Sequence, residues 1–216
     1  MKTKHWILVS VVAIFAIGST GFSVWFKANA QAFYMPSGSM APTLPIGARV
    51  IGWMHAYDSV APQHNDIALL KLPLSLVSPG TGGSTTTFVK RVIGLPGDRV
   101  EMKRGVLTLN GKVQSEPFIA PPPKTGPNYV YDLKVLGGKV YSRDVGYTWT
   151  REGILVSPGE EKQLNSTPTQ AIPADKFLVL GDNRGNSNDS HVFGLIPRSS
   201  FEGKVGSQFW PRVRSF

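Results

Sequence analysis

The feature that most constrains this chain is an apolar stretch near its N-terminus, from Trp6 to Phe26. The stretch contains no charged residue and, as an α-helix, reaches roughly 30 Å, the thickness of a bilayer's hydrocarbon core. Lys2 and Lys4 precede it and Lys27 follows it, so the positive-inside rule places the N-terminus in the cytoplasm. We therefore predict one transmembrane helix in the plasma (inner) membrane, with the chain beyond it on the far side.

The triplet Ala28-Asn29-Ala30 supports a second interpretation, because an A-x-A pattern is typical of a signal-peptide cleavage site. The apolar stretch, however, is longer than the ~7–15 residues of an ordinary signal. Trp25, Phe26 and Lys27 also crowd the site. A retained anchor is therefore favoured, cleavage after Ala30 stays open, and both interpretations export the rest of the chain.

Composition limits the chemistry that the exported part can perform. The net charge is +9, yet no dense basic run interleaved with aromatic residues occurs, so a basic surface beside a membrane is favoured over nucleic-acid binding. The chain has no cysteine, which excludes disulfides and thiolate zinc sites. Its four histidines show no metal-ligand spacing. We expect no metal, no cofactor and no nucleic acid partner.

Beyond Ala30 the sequence alternates short apolar runs with turns. Strand-like runs span 48–53, 66–73, 88–93, 99–102, 106–109 and 177–180, and Asn110-Gly111 is a strong hairpin signal. Residues 117–170 are rich in proline, glycine and polar groups, which indicates a variable, inserted or peripheral region. The pattern predicts a mainly β catalytic domain, an antiparallel sheet or barrel-like fold, behind the single N-terminal helix.

Three separated segments are candidates for chemistry, and the first is residues 35–44, Met-Pro-Ser-Gly-Ser-Met-Ala-Pro-Thr-Leu. Proline and glycine hold the backbone around Ser37 and Ser39 in a turned path, as an exposed nucleophile requires. A free Ser39 amide would also face an oxyanion. The alternative is a plain Ser/Pro linker, but a linker has little reason to surround its serines with large apolar side chains.

The second segment contains a lysine within an otherwise apolar strand. Strand alternation places Lys90 on one face with Phe88 and Val92. Desolvation and the neighbouring Arg91 both lower a lysine pKa, and a neutral amine can accept the proton of a serine. The alternative is a lysine that extends its ammonium to solvent from a strand edge.

The third segment, residues 181–194, is dense in Asp, Asn and Ser. Its two carboxylates offer ion pairs, Asp182 and Asp189 with Arg91 and Arg184, and a serine hydroxyl there would orient a neutral amine. The alternative is a solvated loop built from Asx turns.

Taken in this order, the three segments resemble the bacterial signal peptidase I family, the Ser/Lys leader peptidases of family S26. The matching motifs are P-S-G-S-M-x-P-T-L, K-R-V-I-G-L-P-G-D and G-D-N-R-x-N-S-x-D-S. Residues 66–73 and the anchor add to the match, and ordered blocks are far more specific than any single one. The resemblance implies a membrane-bound serine endopeptidase that removes signal peptides from exported preproteins.

The resemblance implies a role for each matching residue. Ser39 is the nucleophile, Lys90 is the general base, and the Ser37 hydroxyl with the Ser39 amide forms the oxyanion hole. Ser187 orients the lysine amine. Ion pairs brace the site, namely Arg91 with Asp182, and Asp189 with a nearby cation.

Two positions depart from the family pattern. Gly185 stands where many members have Asp, and His191 stands where many have Arg. The partner of Asp189 is therefore left open between Arg184 and His191. A triad of Ser39, His191 and Asp189 is conceivable, but it is disfavoured because a lysine base already fits.

The family also implies the substrate, since small pockets accept alanine at the first and third positions before the cut. The expected partners are A-x-A signal peptides and the lipid bilayer. Residues that we expect to line the groove or touch lipid are Met35, Pro36, Met40 and Leu44. We divide the chain into the cytoplasmic N-terminus with its anchor, 1–27, and an extracytoplasmic peptidase domain, 28–216.

Two other functions remain open. One is a specialised peptidase that processes pilin or conjugative-transfer precursors, and the other is a catalytically inactive periplasmic adaptor. A DNA-binding, self-cleaving repressor protease is disfavoured by the membrane anchor.

Overall fold

The computed structural model describes residues 26–76, 83–119, 131–144, 147–151, 153–211 and 214–216. The predicted transmembrane stretch, apart from its last residue, lies outside these ranges. Within them, no helix has the length and apolar character needed to cross a membrane.

Strands dominate the described residues and form two antiparallel sheets. The first sheet has the spatial order β1 (Ala30–Tyr34), β2 (Arg49–Met54), β14 (Phe201–Trp210), β3 (Ile67–Pro73), β4 (Thr85–Gly94), β12 (Lys176–Leu180) and β13 (Ile196–Pro197), and β15 (Arg214–Ser215) pairs with β14. The second has the order β11 (Ile154–Leu155), β10 (Thr150–Arg151), β9 (Lys139–Asp144), β8 (Tyr131–Leu136), β5 (Val100–Lys103), β6 (Val106–Leu109) and β7 (Lys112–Val113).

These sheets confirm the mainly β prediction, and among the described strands no pairing closes either sheet into a barrel. Helices are short: α1 is Pro158–Ser166, α2 is Ser190–Phe193, and single 3-10 turns cover Leu74–Leu76, Arg184–Asn186 and Arg198–Ser200. Helix α1 begins after Ser157, whose hydroxyl accepts a hydrogen bond from the Glu160 N–H at 3.3 Å.

The first sheet is covered on both faces, which explains why β3 is an almost continuous apolar run. Ala68 and Leu70 pack into one core cluster, whereas Ile67 and Leu69 pack into another. Because successive side chains point to opposite faces, the two clusters lie on opposite sides of the sheet. A third cluster lies between the two sheets.

The Asn110-Gly111 hairpin is confirmed. It joins the antiparallel strands β6 and β7, and both turn residues have positive φ, 51° and 80°. This is the conformation of a type I′ turn, which Asn and Gly adopt with little strain.

The expectation that 117–170 is peripheral is wrong for its central part. Strands β8 and β9 pair in register from Tyr131 to Leu136. Leu133, Val135 and Val140 are buried in the cluster between the sheets. Alternating apolar residues in these strands account for the packing. The average composition of 117–170 does not reveal these strands, because the flanking residues are rich in proline and glycine.

Pairing within the first sheet brings two of the three candidate segments together. Strand β1 leads directly into the serine segment, while β4 pairs antiparallel with β12 so that Arg91 lies opposite Leu180. The third segment begins at the next residue, Gly181. The lysine segment therefore lies beside the Asp-rich loop, although they are far apart in sequence.

Candidate active site

The serine segment folds as a tight turn after β1. One backbone hydrogen bond runs from the Ala41 N–H to the Gly38 carbonyl at 3.1 Å, and a second joins Leu44 to Met40 at 2.8 Å. Ser39 lies in this turn and is 7% exposed. The turn gives the serine hydroxyl a defined direction within a mostly closed site.

Apolar side chains of this segment hold the turn in the core. Met40 and Leu44 have no exposed surface and Met35 has 3%, and all three belong to one core cluster of the first sheet. That they line the substrate groove or touch lipid stays a prediction, since a pocket small enough for one alanine methyl leaves the side chains around it almost without exposed surface. Pro36 is exposed and stays a predicted substrate contact.

Ser39 and Lys90 meet directly. The Lys90 Nζ lies 2.9 Å from the Ser39 Oγ and makes a buried hydrogen bond to it. The Ser37 Oγ lies 3.3 Å from the same oxygen. In the part of the chain that the structure describes, no acceptor binds the Ser39 N–H, so this amide is available to a ligand.

The environment of Lys90 favours its neutral form. Burial lowers the pKa of Lys90 to about 8, while the carboxylates of Asp189 and Asp182 act in the opposite direction. The Phe88 ring centroid lies 5.9 Å from the Nζ and contributes to the apolar surroundings. At pH 7 on the order of a tenth of the molecules then carry the neutral amine.

The lowered pKa of Lys90 predicts a pH dependence. If the neutral amine is required, kcat/KM should rise about tenfold per pH unit below pH 8 and level off above it. The measurement is kcat/KM for a peptide substrate between pH 6 and pH 10, with thermal unfolding followed at each pH to exclude loss of fold. A profile without slope from pH 6 to pH 9 would contradict Lys90 as the base.

The next residue along β4 forms a buried ion pair. The Arg91 Nε and Nη2 donate to the two oxygens of Asp182 at 2.7 and 2.6 Å, and Nη1 donates to the Asn65 carbonyl at 2.8 Å. The Thr43 hydroxyl donates to the same carboxylate at 2.5 Å. This bidentate pair fixes the direction of β4 at the lysine.

The third segment fastens the serine turn through backbone contacts. The Asn183 N–H donates to the Ser39 carbonyl at 3.0 Å, and its side-chain amide donates to the Gly38 carbonyl at 3.1 Å. Gly181 is required here, since a Cβ at this position would lie 2.4 Å from the Ser39 carbonyl oxygen. Asn183 is a positioning residue that the sequence analysis did not single out.

Asp189 pairs with His191. The His191 Nδ1 lies 2.7 Å from the Asp189 Oδ1, the Gly181 N–H donates to the other oxygen at 2.8 Å, and the imidazole stacks on Tyr131 with centroids 4.9 Å apart. Burial raises the pKa of Asp189, but these hydrogen bonds outweigh burial and hold it below its ordinary value.

Arg184, the other candidate partner of Asp189, instead forms an ion pair with Glu116, with Nη1 3.3 Å from Oε2. The contacts of the Ser39 hydroxyl in the described residues are those to Lys90 and Ser37, so a triad through His191 is not formed.

Ser187 is buried close to Ser39. Its hydroxyl acts on Asp189, whose pKa it helps to lower, and no hydrogen bond joins it to the Lys90 amine. A Cβ on Gly181 would lie 2.2 Å from this oxygen. The predicted contact with the Lys90 amine stays a prediction.

Two further residues reach the site without a signal in the sequence. Phe118 covers the Arg91 guanidinium, with 3.9 Å between the guanidinium carbon and the ring centroid. Glu116 holds Arg184. Both come from the segment that follows β7, where sequence alone indicated only a turn-rich stretch.

The arrangement suits acyl transfer. A serine hydroxyl contacts an amine whose pKa is close to neutrality, and a second hydroxyl and a backbone N–H lie next to it as possible oxyanion donors. Within the described residues, no group of three or more His, Asp or Glu side chains is arranged to hold a metal ion.

Comparison with known proteins identifies the family. Residues 3–210 match the family model described as signal peptidase, peptidase S26. The chain is 34% identical over 182 residues to signal peptidase I of Leptolyngbya laminosa, covering 84% of this chain and 70% of the relative. It is 31% identical over 212 residues to signal peptidase IB of Staphylococcus aureus, covering 96% and 89%.

A crystal structure of a signal peptidase I from Enterococcus faecalis V583 matches 66% of this chain and 95% of that chain, with 26% identity and a TM-score of 0.40. The assignment therefore rests on the family model and the sequence relatives. The chain belongs to the peptidase S26 family and is a bacterial signal peptidase I, a serine endopeptidase that removes signal peptides.

Proposed function

We propose that the peptidase acts through a Ser39 acyl-enzyme, with Lys90 as the general base. The observation that supports this most directly is the buried 2.9 Å contact between the lysine Nζ and the serine Oγ. A neutral amine at that distance takes the hydroxyl proton as the oxygen attacks the peptide carbonyl.

The steps follow from the positions of the neighbouring donors. As the tetrahedral oxyanion forms, the Ser39 N–H and the Ser37 hydroxyl donate to it, each donor contributing about 3 kcal/mol in comparable enzymes. The Lys90 ammonium then protonates the leaving amine, and the peptide bond breaks. A water molecule, deprotonated by the same lysine, releases the acyl group and regenerates the serine.

We infer that the substrate is the extended A-x-A end of an exported preprotein's signal peptide. Strand β1 supports this, because it forms an edge of the first sheet and runs directly into the serine turn. An extended peptide that pairs with such an edge places successive side chains in alternate directions. The first and third positions before the cut then face the same wall, so one surface selects both.

We also propose a single-pass topology: residues 1–27 as a cytoplasmic N-terminus with its anchor, and 28–216 as the extracytoplasmic peptidase domain. The domain's own surface supports a bilayer contact near the serine turn. Tyr34, Ile46 and Trp210 are 60%, 67% and 60% exposed. Arg49 pairs with both Tyr34 and Trp210, so these two aromatic residues lie at one end of the sheet, and Ile46 lies beside Gly38 of the serine turn. Aromatic side chains of this kind favour the membrane interface.

The substrate prediction is tested with a preprotein that carries an A-x-A site, in detergent. We expect one cut after the second alanine, and loss of at least about tenfold in kcat/KM when leucine replaces that alanine, because a small pocket excludes it. Ser39→Ala enzyme is the blank for contaminating proteases. If the wild-type enzyme leaves the A-x-A preprotein intact, a dedicated substrate such as a pilin or conjugative-transfer precursor is favoured instead.

A further inference from the structure

One short segment contacts all three parts of the active site. Residues 116–119, which we call the strap, follow β7 and cross the site. The strap contacts the serine turn through Phe118 and Ile119, strand β4 through the Phe118 ring, and the Asp-rich loop through Glu116. None of the three motifs that identify the family includes it.

The strap's contact with β4 is a stack on an arginine. The Phe118 ring lies 3.9 Å from the Arg91 guanidinium carbon, while the arginine's edges donate to Asp182 and Asn65. A guanidinium with a covered face and bonded edges is held in one orientation. Because Lys90 is the adjacent residue of the strand, that orientation also sets the path of the backbone at the base.

The contact with the serine turn uses the backbone. Ile119 forms an isolated β-bridge with Pro42, and the Phe118 carbonyl oxygen lies 3.4 Å from the Thr43 hydroxyl, whose proton is donated to Asp182. Pro42 lies three residues after Ser39 in the same turn. The strap therefore holds the part of the turn that follows Ser39, whereas Asn183 holds the carbonyls of Gly38 and Ser39.

The contact with the Asp-rich loop is an ion pair that is almost fully buried. The Glu116 and Arg184 side chains are 6% and 10% exposed, and the two terminal guanidinium nitrogens, Nη1 and Nη2, contact the carboxylate. Arg184 follows Asn183, which donates to the nucleophile's carbonyl. A buried pair that loses one member leaves an uncompensated charge, so this end of the strap is strongly fixed.

We propose that the strap positions the nucleophile and the base relative to each other, with Phe118 and Glu116 as positioning residues that act through Arg91 and Arg184. This rests on the proposed roles of Ser39 and Lys90. The strap touches neither reacting atom. It joins three separate segments whose mutual placement decides whether the Oγ–Nζ contact is kept, and misplacement of about 1 Å lowers rates by as much as about a hundredfold.

The test compares Phe118→Leu and Phe118→Tyr with a matched control, Trp149→Leu, in the full chain in detergent. Trp149 is likewise a ring with an arginine above it, Arg143 at 4.7 Å, but it is buried in a separate cluster of the second sheet. Measured quantities are kcat, KM, the pH profile of kcat/KM and the thermal midpoint.

We expect Phe118→Leu to lower kcat about tenfold or more with a smaller change in KM. Phe118→Tyr keeps an aromatic ring on the guanidinium and should have a kcat near that of the wild type. The pH midpoint should move upward, because a loosened Arg91 neutralises Asp182 less and the carboxylates of Asp182 and Asp189 then act more strongly on Lys90. Trp149→Leu should lower the thermal midpoint and leave kcat and the pH profile unchanged.

Unchanged kcat in folded Phe118→Leu, or an equal fall of kcat in both leucine variants, would overturn the positioning role. If Phe118→Leu does not fold, the same readouts on Glu116→Gln decide between these results. A Lys90→Ala enzyme measured alongside distinguishes failure of the proposed mechanism from failure of the positioning role. If Lys90→Ala cuts as fast as the wild type, the proposed mechanism has failed, not the strap.

Discussion

Replacing Ser39 or Lys90 is expected to reduce kcat by about 10⁴-fold or more, since residues that act as one catalytic unit each abolish most of the rate when removed. The two side chains meet at 2.9 Å in a buried site, so neither has a substitute at that position. The measurement is single-turnover cleavage of the A-x-A preprotein by Ser39→Ala, Lys90→Ala and Lys90→Arg enzymes.

The arginine variant separates two roles for the lysine. Arginine keeps the positive charge but stays protonated at any pH used for assays, so it supplies electrostatic stabilisation and no base. We expect it to be as inactive as Lys90→Ala. Substantial activity in Lys90→Arg would show that charge, not proton transfer, is what position 90 contributes.

A matched control for position 90 is Lys71→Ala. Lys71 lies on the neighbouring strand β3 with its side chain 56% exposed, where it pairs with Glu202 at 3.4 Å. This variant should retain the wild-type rate. Each inactive variant must also keep the wild-type thermal midpoint, because a lower midpoint would mean that the activity was lost through unfolding.

Replacing Asp182 with alanine is expected to lower the free energy of unfolding by about 3–5 kcal/mol, the usual result of leaving one member of a buried pair without its partner. The Arg91 and Asp182 side chains are 8% and 1% exposed, so water does not replace the lost carboxylate. The Thr43 hydroxyl loses its acceptor as well. Urea unfolding in detergent measures the change.

An exposed ion pair provides the comparison. Glu202→Ala removes the partner of Lys71, whose side chain is 56% exposed, and should lower the free energy of unfolding by about 1 kcal/mol or less. The double variant Arg91→Met with Asp182→Leu should recover part of the stability lost in Asp182→Ala, because no unpaired charge remains. A loss below about 1 kcal/mol for Asp182→Ala would contradict the burial of this pair.

The sequence by itself determined the features that depend on local chemistry. Asn110 and Gly111 adopt positive φ with little strain, so the hairpin follows from two residues. The alternation around Lys90 placed it beside Phe88 and Val92, and those two pack in one cluster. Three ordered motifs indicated the family, which the comparisons confirm.

Only the tertiary structure decided which distant groups meet. Arg184 forms its ion pair with Glu116, which is 68 positions away in the sequence. Asp189 instead pairs with His191, two residues away. No local sequence pattern predicts this choice of partners. The burial of Met40 is likewise a property of the packed sheet, because its apolar character alone does not say that the side chain has no exposed surface. Local propensity and periodicity act over a few residues, whereas the choice among such partners depends on how the sheets pack and what each burial leaves desolvated.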